Sequence, residues 1–270
     1  NQAIHSGKPT LIAVQNYEWD YRPTPRGNTV TRREEKPEIN QLLESYGITV
    51  SEDVLMDVNK VALNVQSGDP MDAIRGGQPF ELPMHIIINN ATMNSETSIT
   101  SRLSSVFYLW GSALKMDQEK MKQAGLQAKV LMNTTDRAWA LDAKAPLTKN
   151  SFSEPPDSER KQFPLMAMVE GQFPDAFSGK ERPAWPKPQQ RPGQPPMPDS
   201  DEPEAPAKAV EAKAGKLVLL GCSEMFRKNF LRGGSGNLDL FLNSIDAITL
   251  NENLVNVRGR KPLDRGLGEP

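Results

Sequence analysis

The sequence predicts an α/β domain in which a mainly parallel sheet carries helices on both faces. The first observation is the unbroken apolar run at 217–220, because a strand covered on both sides has no solvated face that must stay polar. The second is alternation, since further apolar strands at 10–14, 84–88 and 165–170 are separated by segments with helical spacing. The third is size, because 270 residues of which 37% are hydrophobic can bury a substantial core.

The strands are short apolar runs bounded by polar or glycine-containing turns. Their predicted positions are 10–14, 48–50 leading into 53–58, 84–88, 129–132, 165–170, 217–220 and 254–257. The first helix is predicted from four apolar residues on one helical face, namely Ile39, Leu42, Leu43 and Tyr46. Gly47 follows at the position of a C-terminal helix cap.

Two later segments also have helical spacing. A second helix is predicted from a one-sided apolar stripe, namely Ile99, Leu103, Val106, Phe107 and Trp110. After a glycine-rich turn at 233–236, Asn237 is a candidate cap for a third helix. The buried stripe predicted for that helix is Leu238, Phe241, Leu242, Ile245 and Ile248.

Charge and hydropathy narrow the classes of partner. The 32 basic and 34 acidic residues leave a net charge of -2, so the chain lacks the positive footprint that nucleic-acid binding requires. No apolar run approaches the roughly 20 residues that cross a bilayer. A single cysteine cannot form an internal disulfide, which leaves the compartment open.

A proline-rich segment divides the chain into three parts. We expect 1–182 to form the first part of the α/β domain, 183–214 to be an insertion or linker, and 215–265 to complete the same domain. The insertion is either a surface loop or a ligand for a proline-recognising groove. A second excursion at 19–36 is either a decorated surface loop or a lid that binds a partner.

Cys222 is the strongest candidate for a catalytic nucleophile. It follows a predicted strand at a sharp turn into a helix, where backbone N–H groups can lower a thiol pKa and stabilise an oxyanion. Against this, Glu224 stands where a hydrolase turn needs a small residue. The two histidines, His5 and His85, both precede the cysteine, so a downstream general base is missing.

No metal or cofactor is expected. One cysteine and two separated histidines cannot form a closed zinc shell. The glycine-rich turn at 233–236 follows a helix rather than a strand, and it lacks the lysine of a nucleotide-binding loop.

Polar turns follow three of the predicted strands, at the edge where open parallel sheets gather their ligand sites. The candidate binding residues at these turns are Cys222, Ser223, Glu224, Asn89, Asn90, Asn133, Thr134 and Thr135. Their amide and hydroxyl groups suit a hydroxyl-rich ligand. The same side chains also suit caps for the elements that follow.

Short motifs recur in a fixed order over nearly the whole chain. They are LESYGITV at 43–50, VLMD at 54–57, TTDRAW at 134–139, GCSEMF at 221–226, GNLDLFLN at 236–243 and VRGRK at 257–261. In this order they resemble the extracytoplasmic domain of the GldG family, the gliding-motility-type auxiliary components of bacterial ABC transporters. Two positions depart from that family, since Cys222 replaces its usual acidic residue and Ala247 stands near its usual tryptophan.

The resemblance implies a flavodoxin-like or glutamine-amidotransferase-like fold without a catalytic set, tethered by flanking membrane helices at the periplasmic face of the bacterial inner membrane. It also implies an upstream portion that carries the first strands of the sheet, and partners among the permease or ATPase subunits. We therefore predict a non-enzymatic extracytoplasmic binding or scaffolding domain that contacts a partner protein or a glycan. The alternative is an amidotransferase-like hydrolase that depends on Cys222.

Overall fold

The computed structural model describes residues 1–24, 27–35, 37–65, 78–142, 144–178, 210–231 and 235–250. Its strands are β1 (Thr10–Ala13), β2 (Tyr17–Thr24), β3 (Gly27–Glu34), β4 (Ile48–Val50), β5 (Val54–Met56), β6 (Lys60–Val65), β7 (Gln78–Asn89), β8 (Ser105–Leu109), β9 (Leu114–Met116), β10 (Leu126–Asn133), β11 (Trp139–Leu141), β12 (Pro164–Gln172) and β13 (Ala214–Leu220). Its α-helices are α1 (Gln2–His5), α2 (Asn40–Leu43), α3 (Gln118–Gln123), α4 (Lys228–Leu231) and α5 (Asn237–Thr249). Short 3₁₀ turns lie at Glu44–Tyr46, Asn90–Thr92, Lys149–Phe152, Asp157–Glu159 and Glu224–Phe226.

Within the described residues, the central sheet has four strands in the order β1, β13, β12, β10. β1 runs parallel to β13, whereas β12 runs antiparallel to both β13 and β10. The remaining strand pairs of the described residues are antiparallel, in the three-stranded sheet β6-β7-β8 and the pairs β2-β3, β4-β9 and β5-β11. The predicted mainly parallel sheet of flavodoxin-like or glutamine-amidotransferase-like type is therefore wrong. The fold is a mixed one of small, mostly antiparallel sheets with one mixed sheet.

The physical reason lies in the connections between strands. A parallel pair needs a crossover of a dozen or more residues, usually a helix, whereas antiparallel strands need only a turn. Apart from α5, the described α-helices have four to six residues, too few to cover a sheet face. Two segments form strands instead of the predicted structure: one was predicted to be a helix and the other a loop.

The predicted helix at 99–110 contains β8. Val106 and Tyr108 are fully buried, and Phe107 between them is only half-buried, which is the two-residue alternation of a strand. The apolar residues of this segment also fit a helical period, so spacing alone did not separate the two structures.

The predicted loop at 19–36 forms most of the hairpin β2–β3. Tyr17 and Trp19 are buried, whereas Glu18 between them is half-buried and Asp20 is exposed. One face of β2 is therefore apolar and the other polar, as in a strand with one wet face.

β13 lies inside the central sheet, as its apolar sequence predicts. Its residues Leu217, Val218, Leu219 and Leu220 are all 0% exposed. Leu217 and Leu219 pack into one apolar core, and Val218 and Leu220 pack into another. The strand is therefore covered on both faces, although its neighbours are not the parallel ones expected.

The predicted helix at 39–46 is α2 followed by a 3₁₀ turn, and it ends where the sequence indicates. Gly47 adopts a left-handed φ of 73°, which favours glycine. A Cβ at this position would lie 2.7 Å from the Met121 side chain, so a larger residue has no room.

The buried side of α5 differs from the predicted stripe. Leu240, Ala247 and Ile248 pack into the core, whereas Leu238 and Leu242 are 41% and 50% exposed. The predicted stripe was therefore partly out of phase: Ile248 is buried and Ile245 packs half-buried against the core, whereas Leu238 and Leu242 are exposed.

Asn237 is fully buried at the first position of α5 and does not cap the helix as predicted. Its amide nitrogen donates to the carbonyl oxygens of Phe107 at 3.1 Å and Met225 at 2.8 Å. Its Oδ1 accepts from the Phe107 backbone N–H at 2.8 Å. Asn237 thus joins α5 to β8 and to the turn that follows β13.

Parts of the predicted organisation lie outside the described residues. These include the prolines at 183–206 and the strand at 254–257. The division into 1–182, 183–214 and 215–265 stays a prediction. Among the helices of the described ranges, none is long and apolar enough to cross a membrane.

Candidate functional site

Three strands of the central sheet end at the same edge. Because β12 is antiparallel to β13 and β10, and β1 is parallel to β13, the carboxyl ends of β1, β13 and β10 meet there. Gln15 and Asn16 follow β1, the turn 221–224 follows β13, and the turn 134–135 follows β10. Polar residues from distant parts of the chain therefore meet at one edge, which is where α/β sheets place ligands.

Gln15 fills the space between these turns. Its Oε1 accepts hydrogen bonds from the backbone N–H groups of Ser223 and Glu224, both at 3.1 Å. Its Nε2 donates to the carbonyl oxygens of Trp110 at 2.9 Å and Tyr17 at 3.2 Å. Trp110 has a left-handed φ of 56°, which is unusual for a non-glycine residue, and the Gln15 amide holds its carbonyl. Sequence reasoning missed Gln15, although its position directly after an apolar strand was a usable signal.

Cys222 is fully buried, and its Sγ donates to the carbonyl oxygen of Leu109 at 3.2 Å. Burial raises the pKa of this thiol to about 12, and backbone hydrogen bonds only partly oppose the effect. The thiol is therefore protonated near neutral pH, whereas a nucleophilic cysteine must be a thiolate.

The histidines have contacts elsewhere. His5 places Nδ1 2.8 Å from the carbonyl oxygen of Phe173, and the His85 ring packs edge-on against Trp110 with centroids 5.7 Å apart. The two N–H groups that could form an oxyanion hole after β13 already bind Gln15. The arrangement at this turn therefore offers neither an activated nucleophile nor a free oxyanion site.

An open cavity, which we call the edge cavity, lies beside this turn. Its volume is about 460 Å³. Its lining residues are Gln15, Tyr17, Glu18, Arg33, Glu35, Pro37, Ser223 and Arg227. The hairpin β2–β3 supplies one wall and the turn after β13 supplies the other.

Ion pairs form both walls of the edge cavity. Arg33 pairs with Glu18 and, at 3.1 Å, with Glu35. Arg227 pairs through Nε with Glu224 at 2.8 Å. Burial raises the pKa of Glu224, Arg227 opposes that shift, and Glu18 adds to it. The lining carries two guanidinium groups and two carboxylates, and Glu224 behind Arg227 adds a third carboxylate to these pairs.

A second surface, which we call the acidic groove, shares Tyr17 and Pro37 with the edge cavity. It consists of two adjoining cavities of about 460 and 430 Å³, both of which include Glu44 and Glu52. Its carboxylates are Glu34, Glu38, Glu44, Glu52, Asp53 and Asp142, and its lysines are Lys115 and Lys144.

The field of the acidic groove reaches Tyr17. Burial raises the pKa of the Tyr17 phenol, and the carboxylates of Glu34, Glu52 and Asp53 add to the shift while Arg32 opposes it. The groove is therefore negative where it meets the edge cavity.

The predicted asparagine and threonine residues lie away from both surfaces. The Asn89 side chain accepts from the Ala91 N–H at 3.1 Å and so caps the following turn, and Asn90 beside it is exposed. Asn133 pairs with Pro164 in the sheet. The β-bridge between Met93 and Met132 brings these asparagines to the same region of the fold.

The two threonines bind the protein itself. Thr134 accepts from the Phe163 N–H at 2.8 Å and donates to the carbonyl oxygen of Thr135 at 3.0 Å. Thr135 binds the buried carboxylate of Asp57. Of the eight predicted residues, Ser223 lines the edge cavity and Glu224 reaches it through Arg227. In the described ranges, no group of three acidic, histidine or cysteine side chains is arranged to hold a metal ion.

A family model described as an ABC-type uncharacterized transport system matches residues 1–244. The chain belongs to this family of ABC-transporter auxiliary components. The match covers all of the described strands and most of α5. The narrower kinship with the GldG family stays a prediction. Comparison with individually curated proteins found no match.

Proposed function

We propose that this chain is a non-enzymatic, extracytoplasmic binding or scaffolding domain of an ABC-transporter auxiliary component. The observation that carries the proposal is the contrast at the sheet edge. The groups that could react are buried or already bonded, whereas the groups around the edge cavity and the acidic groove are open to a partner.

The chemistry of the edge favours recognition. A thiol with a pKa of about 12 does not attack a carbonyl at neutral pH. Gln15 makes four hydrogen bonds that hold the turn after β13 rigid, and a rigid wall loses little entropy when a ligand binds. The site is therefore preorganised without being activated.

Family membership suggests partners within the same transport system. We propose that these partners are its permease or ATPase subunits. We place the domain at the periplasmic face of the bacterial inner membrane, where it would meet the permease and its cargo. Contact with the permease would use the sheet edge, because both open surfaces lie along it.

The partner claim is tested by isolating the tagged, full-length component from membranes together with its transporter. Ser223→Trp fills the edge cavity with a bulky ring, and we expect it to reduce recovery of the permease at least fivefold. Glu119→Gln, on the exposed face of α3, is the matched control and should recover as much permease as the wild type. Equal recovery with both variants would contradict partner contact at the edge.

The compartment is tested by thiol labelling in intact cells. Glu119→Cys adds an exposed thiol, while Cys222 is buried and gives little background. A membrane-impermeant maleimide should label the variant without lysis. Labelling that needs lysis would show that the domain faces the cytoplasm.

A further inference from the structure

We infer that the edge cavity binds a neutral, hydroxyl-rich ligand of the oligosaccharide class. The inference rests on the proposed binding function, and it names the chemistry that the site would recognise. Its basis is the pairing of charges in the cavity, an unused hydroxyl group, and the negative groove next to it.

Each charged side chain of the edge cavity already has a partner of opposite sign. Arg33 is held between Glu18 and Glu35, and Arg227 is held by Glu224. A charged ligand that entered would compete with one side chain of an existing ion pair. The other side chain of that pair would then lose its partner, which costs free energy. A hydroxyl group can accept from a guanidinium and donate to a carboxylate at the same time, so it adds to such a pair without breaking it.

Ser223 gives the cavity an uncommitted polar group. Its backbone N–H binds Gln15, but its hydroxyl makes no hydrogen bond to any residue in the described ranges. Exposed Pro37 contributes apolar surface to the lining, to which the buried Tyr17 also belongs. The lining is mostly polar with a small apolar patch, which suits a sugar ring, because its rim carries hydroxyl groups and its faces are C–H.

The acidic groove excludes charged polymers of one sign. A long ligand that leaves the edge cavity past Tyr17 and Pro37 enters the field of Glu34, Glu38 and Glu52. Clefts lined by one sign of charge repel ligands of the same sign over several ångströms. The structure therefore favours a neutral glycan over an anionic one. The volume of about 460 Å³ is within the usual range for small-ligand sites.

Binding is tested on the full chain by saturation-transfer NMR and calorimetry, with neutral tetrasaccharides of glucose and of N-acetylglucosamine as probes. A tetramer of uronic acid and the polyamine spermine are the charged comparisons. We expect at least one neutral probe to bind, with an affinity that changes less than twofold between about 50 and 500 mM salt, because no net charge is neutralised. The uronic acid tetramer should bind at least tenfold more weakly.

Two variants locate the site. Arg33→Gln removes an exposed guanidinium from the cavity, and Ser223→Val removes the free hydroxyl, and each should weaken binding of the neutral probe about tenfold. Glu44→Gln lies in the acidic groove outside the edge cavity and should stay within twofold of wild type. Melting temperatures confirm that all three variants are folded, and either cavity variant alone suffices for the test.

The outcomes separate this inference from the proposed function. If no neutral probe binds while Ser223→Trp still loses the permease, the glycan inference is overturned and the binding function stands. Tighter binding of uronic acid or spermine overturns the inference as well, because it shows a charged ligand. If neither a glycan nor the permease depends on the edge cavity, both proposals fail.

Discussion

Thr135 donates two hydrogen bonds to the buried carboxylate of Asp57, from its backbone N–H to Oδ2 at 2.9 Å and from its hydroxyl to Oδ1 at 2.7 Å. The Asn59 N–H adds a bond to Oδ1 at 3.1 Å. Asp57 follows β5 and Thr135 follows β10, so the contact ties a small sheet to the central one. Both residues belong to motifs that carry the family resemblance, and their role here is structural.

Replacement of the Thr135 hydroxyl should therefore destabilise the protein. Thr135→Val keeps the backbone bond but removes the hydroxyl bond to a buried carboxylate, which costs about 2 kcal/mol. Thr135→Ser retains both donors and should stay within about 0.5 kcal/mol of wild type. Urea denaturation measures both. Equal midpoints for the two variants would show that the hydroxyl bond contributes nothing.

Gly221 should not tolerate any side chain. A Cβ at this position would lie 2.1 Å from the carbonyl oxygen of Ser112 and 2.8 Å from the Tyr108 hydroxyl, so backbone must move. We expect Gly221→Ala to cost about 3 kcal/mol. At Gly125, with a φ of +70° and no atom within 4 Å, alanine should cost only the backbone strain of about 1 kcal/mol. Thermal denaturation compares the stability of the two alanine variants. If Gly221→Ala lost no more stability than Gly125→Ala, the close approach of Gly221 to Ser112 would be contradicted.

The orientation of α5 can be tested with two leucines. Leu240 is fully buried and Leu242 is half exposed. Leu240→Ala should therefore lose about 3 kcal/mol of unfolding free energy, whereas Leu242→Ala should change it by less than about 0.5 kcal/mol. Chemical denaturation measures both losses. A larger loss for Leu242→Ala than for Leu240→Ala would mean that α5 buries the face predicted from the sequence.

Cys222 should be inert in the folded protein. Because its pKa is raised from 9.0 to about 12, iodoacetamide at pH 8 should modify it only after denaturant is added. The raised pKa means that the folded state holds this proton more tightly than the unfolded state. The associated stability is complete below pH 9 and is lost as the pH rises toward 12. Mass spectrometry measures the extent of alkylation. If the native protein were modified rapidly at pH 8, the thiol would not be buried.

Local features with one dominant cause could be predicted from the sequence. The run at 217–220 is apolar on both faces and is buried on both faces, and Gly47 ends its helix in the left-handed conformation. Each of these features depends on residues close together in the chain. The sheet order depends on connections over long distances, and the same strands are compatible with parallel and antiparallel neighbours.

The sequence predicted where the candidate site lies, at the turn after the strand at 217–220, but not most of the residues that line it. Ser223 was identified because it follows the most obvious strand, and it does line a cavity. Arg33 and Glu35 were not among the candidate binding residues, although the excursion 19–36 that contains them was weighed as a lid that binds a partner; their place in a hairpin was hidden because the segment resembles a polar loop. The inward direction of Thr134 and Thr135 was equally hidden, since a polar residue at a turn can bind solvent or its own backbone.

The place of β13 between β1 and β12 affects how a nascent chain acquires its structure. When β1, β10 and β12 have emerged from the ribosome, β13, the strand that lies between β1 and β12, has not yet been synthesised. Among the described strands, β1 pairs in the central sheet only with β13, so it must wait until 214–220 emerge, and closure over so many residues is slow. The unpaired borders of β1 and β12 are therefore the surfaces that a chaperone would need to shield during translation.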